Sequence, residues 1–347
     1  MNKKVLLGMS GGVDSSVSAV LLKERGYDVT GVTLNLFPCT SCCSYIDVKS
    51  LCRKIGVEHY ILDGKDDFKK YVIDDFIQSY DNCLTPNPCI ECNKYMKFGY
   101  MYKKAKELGC DYVATGHYAK VEYDEKYGKY VLRKSHAGRK DQSYVLWNIP
   151  KDMLEHVIFP LADFESKEKI REIAREHELP VANKPDSEDI CFIPDGDYKK
   201  FLEENSHIKP KPGNIILANG TVVGKHTGLY HYTIGQRKGL GISYKVPLFV
   251  IGFNKKNNEL IVGEEHELYK KEVTIKDINL LLVDDIYKPL RVSVKTRYSS
   301  KEAGATAAQI DNNTIKIVFD EPQARITPGQ SAVMYIDDIV VGGGKII

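Results

Sequence analysis

The chain has 347 residues, more than one hydrophobic core usually serves, so two or three domains are expected. Its 43% hydrophobic and 28% charged content is that of an ordinary globular protein, and a net charge of +2 leaves any nucleic-acid contact to local clusters such as Arg133, Lys134, Arg139 and Lys140. No run of about 18 apolar residues occurs to span a membrane. The opening MNKKVLLGM lacks the h-region of a signal peptide, and an odd nine cysteines without an export signal point to metal or catalytic use in the cytoplasm rather than a disulfide framework.

In chain order, VLLGM (5–9) predicts a buried strand, followed by a helix from about Ser15 to Gly26, a strand in VTGVTLNL (29–36), a helix near 46–55 and a strand in HYILD (59–63). Helical stretches over about 66–81 and 94–108 precede another strand in YVATGHYA (112–119). Short apolar strands alternating with helices imply parallel βαβ units, hence an α/β doubly wound sheet with its ligand crevice at the strands' carboxyl ends. After residue 205 the texture turns to β: Asn219-Gly220 marks a hairpin, and the runs from about 272 onward are spaced as in a small antiparallel barrel. The expected division is 1–205, a nucleotide-binding catalytic domain; 206–270, a central β-rich domain; and 271–347, a β-barrel.

Between the first strand and helix lies SGGVDSS (10–16). Its glycines allow close backbone approach, and the free amides of the following helix face an anion, which together build a phosphate cradle. The Gly-Lys-Ser/Thr ending of an ATP- or GTP-hydrolysing P-loop is missing. In context the string resembles the pyrophosphatase (PP) loop of adenine-nucleotide α-hydrolase-like enzymes, which split ATP between its α and β phosphates. That resemblance implies ATP and magnesium as cofactors, with Asp14 helping to hold the metal and pyrophosphate.

The cysteines fall into three groups: Cys39-Thr-Ser-Cys42-Cys43, Cys89-Ile-Glu-Cys92, and Cys191 in DSEDICFIP. Two Cys-x-x-Cys pairs have the arithmetic of a zinc ribbon. Against that, Cys92 precedes a helical stretch with Lys94 and Lys97 in its first turns, where a thiolate is expected to be favoured.

Taken in series, GMSGGVDSS, TPNP followed by Cys-Asn-Lys, ATGHYA, GRKDQSYVLW, DSEDICFIP, YTIGQRKGLGI, KTRY and TPGQSAV resemble the bacterial tRNA-specific 2-thiouridylases from Gly8 to Gly344. The resemblance implies ATP-dependent sulfur transfer to C2 of the wobble uridine, position 34, with glutamate, glutamine and lysine tRNAs as partners. A persulfide relay protein, a cysteine desulfurase or sulfide would be the sulfur donor. By residue match, Cys191 carries the persulfide and Cys92 is the nucleophile that releases the sulfur, leaving a Cys92–Cys191 disulfide. ATP contacts fall on Gly8, Met9, Ser10, Gly11, Gly12, Val13, Asp14, Ser15, Leu34 and Gly116. Contacts with tRNA fall on His117, Lys140, Asp141, Gln142, Arg297, Tyr298 and Gln330.

The chain departs from its relatives at Cys89, where many carry an aspartate assigned the acid/base role. The substitution adds a third thiol, and Cys89, Cys92 and Cys191 together match what a [4Fe-4S] cluster with one open iron requires. Two other functions stay open on sequence: a PP-loop adenylating enzyme acting on a small molecule, and a non-catalytic zinc or RNA-binding protein.

Overall fold

The computed structural model describes residues 2–37, 45–185 and 189–347; Cys39, Cys42 and Cys43 lie outside the described residues. The first half holds the strands β1 (Lys4–Gly8), β2 (Asp28–Asn35), β3 (Glu58–Asp63), β4 (Tyr112–Ala114), β5 (Ala119–Asp124), β6 (Lys129–Lys134) and β7 (Val157–Ile158). Five of them form a wholly parallel sheet of order β3-β2-β1-β4-β7, the doubly wound arrangement expected. Strand β1 is central, which is why VLL carries no polar residue. Val5 and Leu7 pack toward α1 (Val13–Glu24) and α2 (Tyr45–Ile55), while Leu6 packs on the other face with Phe98, Met101 and Val113.

YVATGHYA is not one strand. Strand β4 stops at Ala114, because Gly116 lies directly against α1: a Cβ there would stand 2.9 Å from the Asp14 carbonyl carbon and 3.0 Å from the Ser15 nitrogen. The chain leaves the sheet at that crossing and resumes as β5.

The thiol pair sits on one long helix. It opens at Asn87, runs as α over Pro88–Glu91, widens to π geometry over Cys92–Tyr100 and returns to α over Met101–Glu107. Pro88 occupies the first turn, where its missing N–H costs no bond. Helix formation therefore starts several residues before the expected 94, and Cys89, not Cys92, lies in the first turn.

Strands β8 (Gly213–Leu217), β9 (Val222–His226), β10 (Phe249–Asn254) and β11 (Glu259–Gly263) form a small sheet of order β10-β11-β8-β9. Asn219-Gly220 makes the β8–β9 turn, with Gly220 at φ +86°. The strands β12 (Tyr269–Leu280), β13 (Leu290–Lys295), β14 (Ala303–Asp311), β15 (Thr314–Ala324), β16 (Ser331–Ile336) and β17 (Ile339–Ile346) follow in the order β12-β15-β14-β13-β16-β17. They close into a six-stranded barrel through β12–β17 pairing.

The barrel is bound to the first half. The β5–β6 hairpin adds to its rim at Ile339 and Arg133, and Val333, Tyr335, Val340 and Leu281 share a core with Tyr144 and the lone tryptophan, Trp147. Of the basic cluster read from the sequence, Arg133 is spent on Glu122, Asp124 and Asp338, and Lys134 on Glu302. These two charges serve the fold and are not an open patch.

Candidate active site

The glycine loop has the form its sequence requires. Gly11 sits at φ +74°, a conformation that favours glycine, and Gly12 caps α1 with no side-chain hydrogen bond, so the first helical amides point outward without a protein acceptor from the cap. The Ser10 backbone N–H donates to Ser15 Oγ at 3.3 Å, and the Ser15 and Ser16 hydroxyls donate to the Gly12 carbonyl at 3.2 and 2.7 Å. Gly8, Met9 and Val13 complete the strand, loop and helix start; Leu34 is the penultimate residue of β2, and Gly116 closes the loop from the β4 side. The positions expected to bind ATP thus gather at the carboxyl edge of β1, β2 and β4. Uncapped amides beneath a glycine crossing that tolerates no Cβ are a fit for a triphosphate.

Asp14 is already engaged. Its carboxylate accepts from Tyr118 Oη at 2.7 Å and pairs with Lys167 Nζ at 2.9 Å. Lys184 Nζ donates to the Gly11 carbonyl at 3.0 Å. The backbone of Tyr118 in turn clamps Gln142: its N–H donates to Gln142 Oε1 at 2.9 Å and its carbonyl accepts from the Gln142 N–H at 2.7 Å. Sequence reasoning missed Tyr118, Lys167 and Lys184. Tyr118 stood within ATGHYA, but nothing local marked the two lysines, which lie far along the chain from the loop they contact.

The thiols converge. Cys92 is 9% exposed in an apolar cluster with Phe68, Phe76 and Met96, and Phe192 and Ile193, which follow Cys191, belong to that same cluster. Cys89 and Cys191 both reach the surface. Although Cys191 reaches the surface, the protein packed around its thiol raises it above the ordinary cysteine value, with Cys92 and Cys89 adding to the effect. Burial pushes Cys92 up to about 11, opposed by Lys97 and reinforced by Cys89. Cys89 is raised by burial as well, again opposed by Lys97. Cys92 lies beyond the helix's first turn, so desolvation works against the thiolate expected from the helix start while Lys97 works for it.

Lys97 is the cation common to all three thiols. Its Nζ donates to His117 Nε2 at 3.4 Å, and His117 Nδ1 meets Thr115 Oγ1 at 2.7 Å. Burial, followed by the Lys97 charge, holds His117 well below the usual histidine range, so the ring is neutral and able to accept from Lys97. Among the described residues no three His, Cys, Asp or Glu side chains are placed to hold a metal ion.

Several residues expected to meet tRNA are engaged within the protein. Asp141 accepts from the Ser135 N–H and the Ser143 hydroxyl, Arg297 donates to the Ile234 carbonyl and to Thr327, and Gln330 Nε2 donates to the carbonyls of Thr85 and Pro86. Gln330 thereby ties the barrel to the loop that begins the thiol helix, as does the Thr85 N–H donating to the Pro328 carbonyl. Lys140 and Tyr298 are exposed, and Lys295 stands over the Tyr298 ring.

A parallel sheet with a glycine cradle at its carboxyl edge and two convergent thiols defines a PP-loop adenine-nucleotide enzyme equipped for sulfur chemistry. The chain matches the models described as the tRNA methyl transferase HUP domain over residues 3–195, the tRNA methyl transferase PRC-barrel domain over 199–264 and the aminomethyltransferase beta-barrel domain over 270–346. It is 50% identical to the tRNA-specific 2-thiouridylase MnmA of Clostridioides difficile (strain 630), across 100% of this chain and 98% of that protein. To the protein of the same name from Acetivibrio thermocellus it is 46% identical, across 99% of each. The chain belongs to the tRNA-specific 2-thiouridylase family. Among solved structures it is similar to a 4-thiouridine synthetase in complex with RNA and ATP, at 22% identity and a TM-score of 0.36, over 58% of this chain and 50% of that one.

Proposed function

We propose that this protein catalyses ATP-dependent 2-thiolation of the wobble uridine, position 34, of tRNA in the cytoplasm, using a catalytic unit of residues 1–205, a central unit of 206–270 and a barrel of 271–347. The observation that carries the reading is the convergence of Cys92 and the Cys191 segment in one cluster, on a chain whose glycine loop is built for a triphosphate. ATP supplies the adenylyl group that turns the C2 oxygen into a leaving group. The loop amides and Gly116 orient the phosphates, and Asp14, which Tyr118 and Lys167 hold in place, is the loop carboxylate that would take magnesium.

The persulfide sulfur on Cys191 bonds to C2 as AMP departs with the electron pair of the C–O bond. The Cys92 thiolate then bonds to Cys191 Sγ and the S–S bond breaks, leaving a thiocarbonyl on the base and a Cys92–Cys191 disulfide that a dithiol reductant reopens. Lys97 favours the thiolate this step needs, in a chain where Cys89 stands in place of the family's carboxylate. Lys140, Tyr298 and His117 are the side chains that meet RNA, while Asp141, Gln142, Arg297 and Gln330 shape the surface presented to it. A persulfide-donating protein charges Cys191 by passing on its outer sulfur and leaving as a thiol, or hydrosulfide opens the Cys92–Cys191 disulfide to leave the persulfide on Cys191 and the thiolate on Cys92; glutamate, glutamine and lysine tRNAs are the substrates.

Nucleoside mass spectrometry after incubation of undermodified tRNA with protein, ATP, magnesium and a persulfide donor tests the reading. 2-Thiouridine must appear, and must vanish with Cys92→Ser and with Cys191→Ser. A cluster route through Cys89, Cys92 and Cys191 is tested directly by iron and acid-labile sulfide assays on anaerobically purified, active protein.

A further inference from the structure

The glycine loop lacks the cation that its task requires. From Val5 to Leu22 the chain has no lysine or arginine and one carboxylate, Asp14. A pyrophosphate leaving this cradle carries several negative charges, whereas a helix N-terminus contributes the equivalent of about half a positive one. A magnesium ion beside Asp14 would meet part of that charge. Two lysines from outside the loop reach it, at Asp14 and at the Gly11 carbonyl.

Lys167 opens the helix Lys167–Glu176, and its side chain, 15% exposed, reaches Asp14. Lys184 approaches from the opposite end of the loop and donates to the Gly11 carbonyl, a neutral acceptor that engages one of its three N–H groups. The Lys184 backbone is itself held, since Arg171 from that same helix donates to the carbonyls of Ala182 and Lys184 at 2.6 and 2.9 Å. One helix therefore places both ammonium groups.

We infer that Lys167 and Lys184 form the seat for the pyrophosphate leaving group, a role that rests on the adenylation reading above. When the substrate oxygen bonds to the α phosphorus, the bridging oxygen departs with its electron pair on the β phosphate, and the two lysines meet the charge so released.

The test is calorimetric titration of the full chain with magnesium pyrophosphate and, separately, with AMP, which lacks the β and γ phosphates. Lys184→Met should weaken pyrophosphate binding by about tenfold or more, the scale of one charge-assisted hydrogen bond, and leave AMP binding within about twofold; Lys184→Arg should restore most of the loss. Lys167→Met should act in the same direction, and an unchanged melting temperature for Lys184→Met shows that the fold is intact. Wild-type affinity for pyrophosphate in Lys184→Met overturns the inference, and so does a parallel loss of AMP and pyrophosphate binding. If the unaltered protein binds neither ligand and cleaves no ATP in the presence of tRNA, the adenylation reading fails first.

Discussion

Replacing Lys345 with Met should destabilise the protein in a way that grows with pH. Glu91 lies between the two cysteines of the thiol helix with 7% of its side chain exposed, and Lys345 of β17 approaches it at 3.0 Å. Lys345 also reaches Asp75 at 3.3 Å. Removing one partner of a buried pair typically costs about 3–5 kcal/mol. Lys345 keeps 31% of its side chain exposed and borders a cavity of about 410 Å³, so water softens the loss and the low end, about 3 kcal/mol, is expected.

The sign with pH follows from Glu91. Burial raises its pKa above the ordinary glutamate value, and Lys345 opposes the rise. A carboxyl with a raised folded-state pKa contributes most to stability in acid, where it is protonated in both states, and that contribution falls as pH climbs past the unfolded value of about 4.5. Without Lys345 the folded pKa rises further and the falling window widens. Melting temperatures of wild type and variant, taken from pH 5 to pH 8, should therefore diverge as pH increases, and adding Glu91→Gln should recover most of the gap. An equal gap at both ends, or no recovery in the double variant, refutes the assignment of this pair as the clamp between barrel and thiol helix.

Gly116→Ala places a Cβ against the backbone of Asp14 and Ser15 and should weaken ATP binding in a calorimetric titration while lowering stability by about 1–3 kcal/mol. Alkylation of Cys92, followed by mass spectrometry, should accelerate about tenfold per pH unit through pH 8–10, since its pKa is pushed up to about 11; Lys97→Met removes the opposing charge and should slow the reaction at every pH in that range. Gln330→Ala removes both amide bonds to Thr85 and Pro86 and should reduce 2-thiouridine formation, measured by nucleoside analysis, while ATP affinity stays at the wild-type value.

Elements whose evidence is local were legible in the sequence. The apolar run VLLGM, the glycine loop and the Asn219-Gly220 turn each specify their backbone through neighbouring residues, and each occurs where it was read. The exit of the chain at Gly116 was not legible, because its cause is the backbone of a helix some hundred residues earlier. The same holds for Arg133 and Lys134, which look like a basic patch until the fold brings Glu122, Asp338 and Glu302 to them. For the tRNA-facing set, residue type suggested contact with RNA, yet Arg297 and Gln330 show how a polar side chain can first serve to lock two units together.

The thiol helix shows most sharply why spacing alone misleads. In an α-helix each residue advances about 100°, so Lys97, five positions after Cys92, would point some 140° away from it. The π segment Cys92–Tyr100 changes the relation, because i→i+5 bonding returns the fifth residue toward the same face. The Met101 N–H donating to the Met96 carbonyl is such a bond. Cys89 joins that face by ordinary i,i+3 spacing through the α turn before it. A local widening of the helix, invisible to a hydrophobic pattern, is therefore what places one ammonium among three thiols. Lys97 is thus the charge that opposes burial at both Cys89 and Cys92, a relation the sequence spacing does not show.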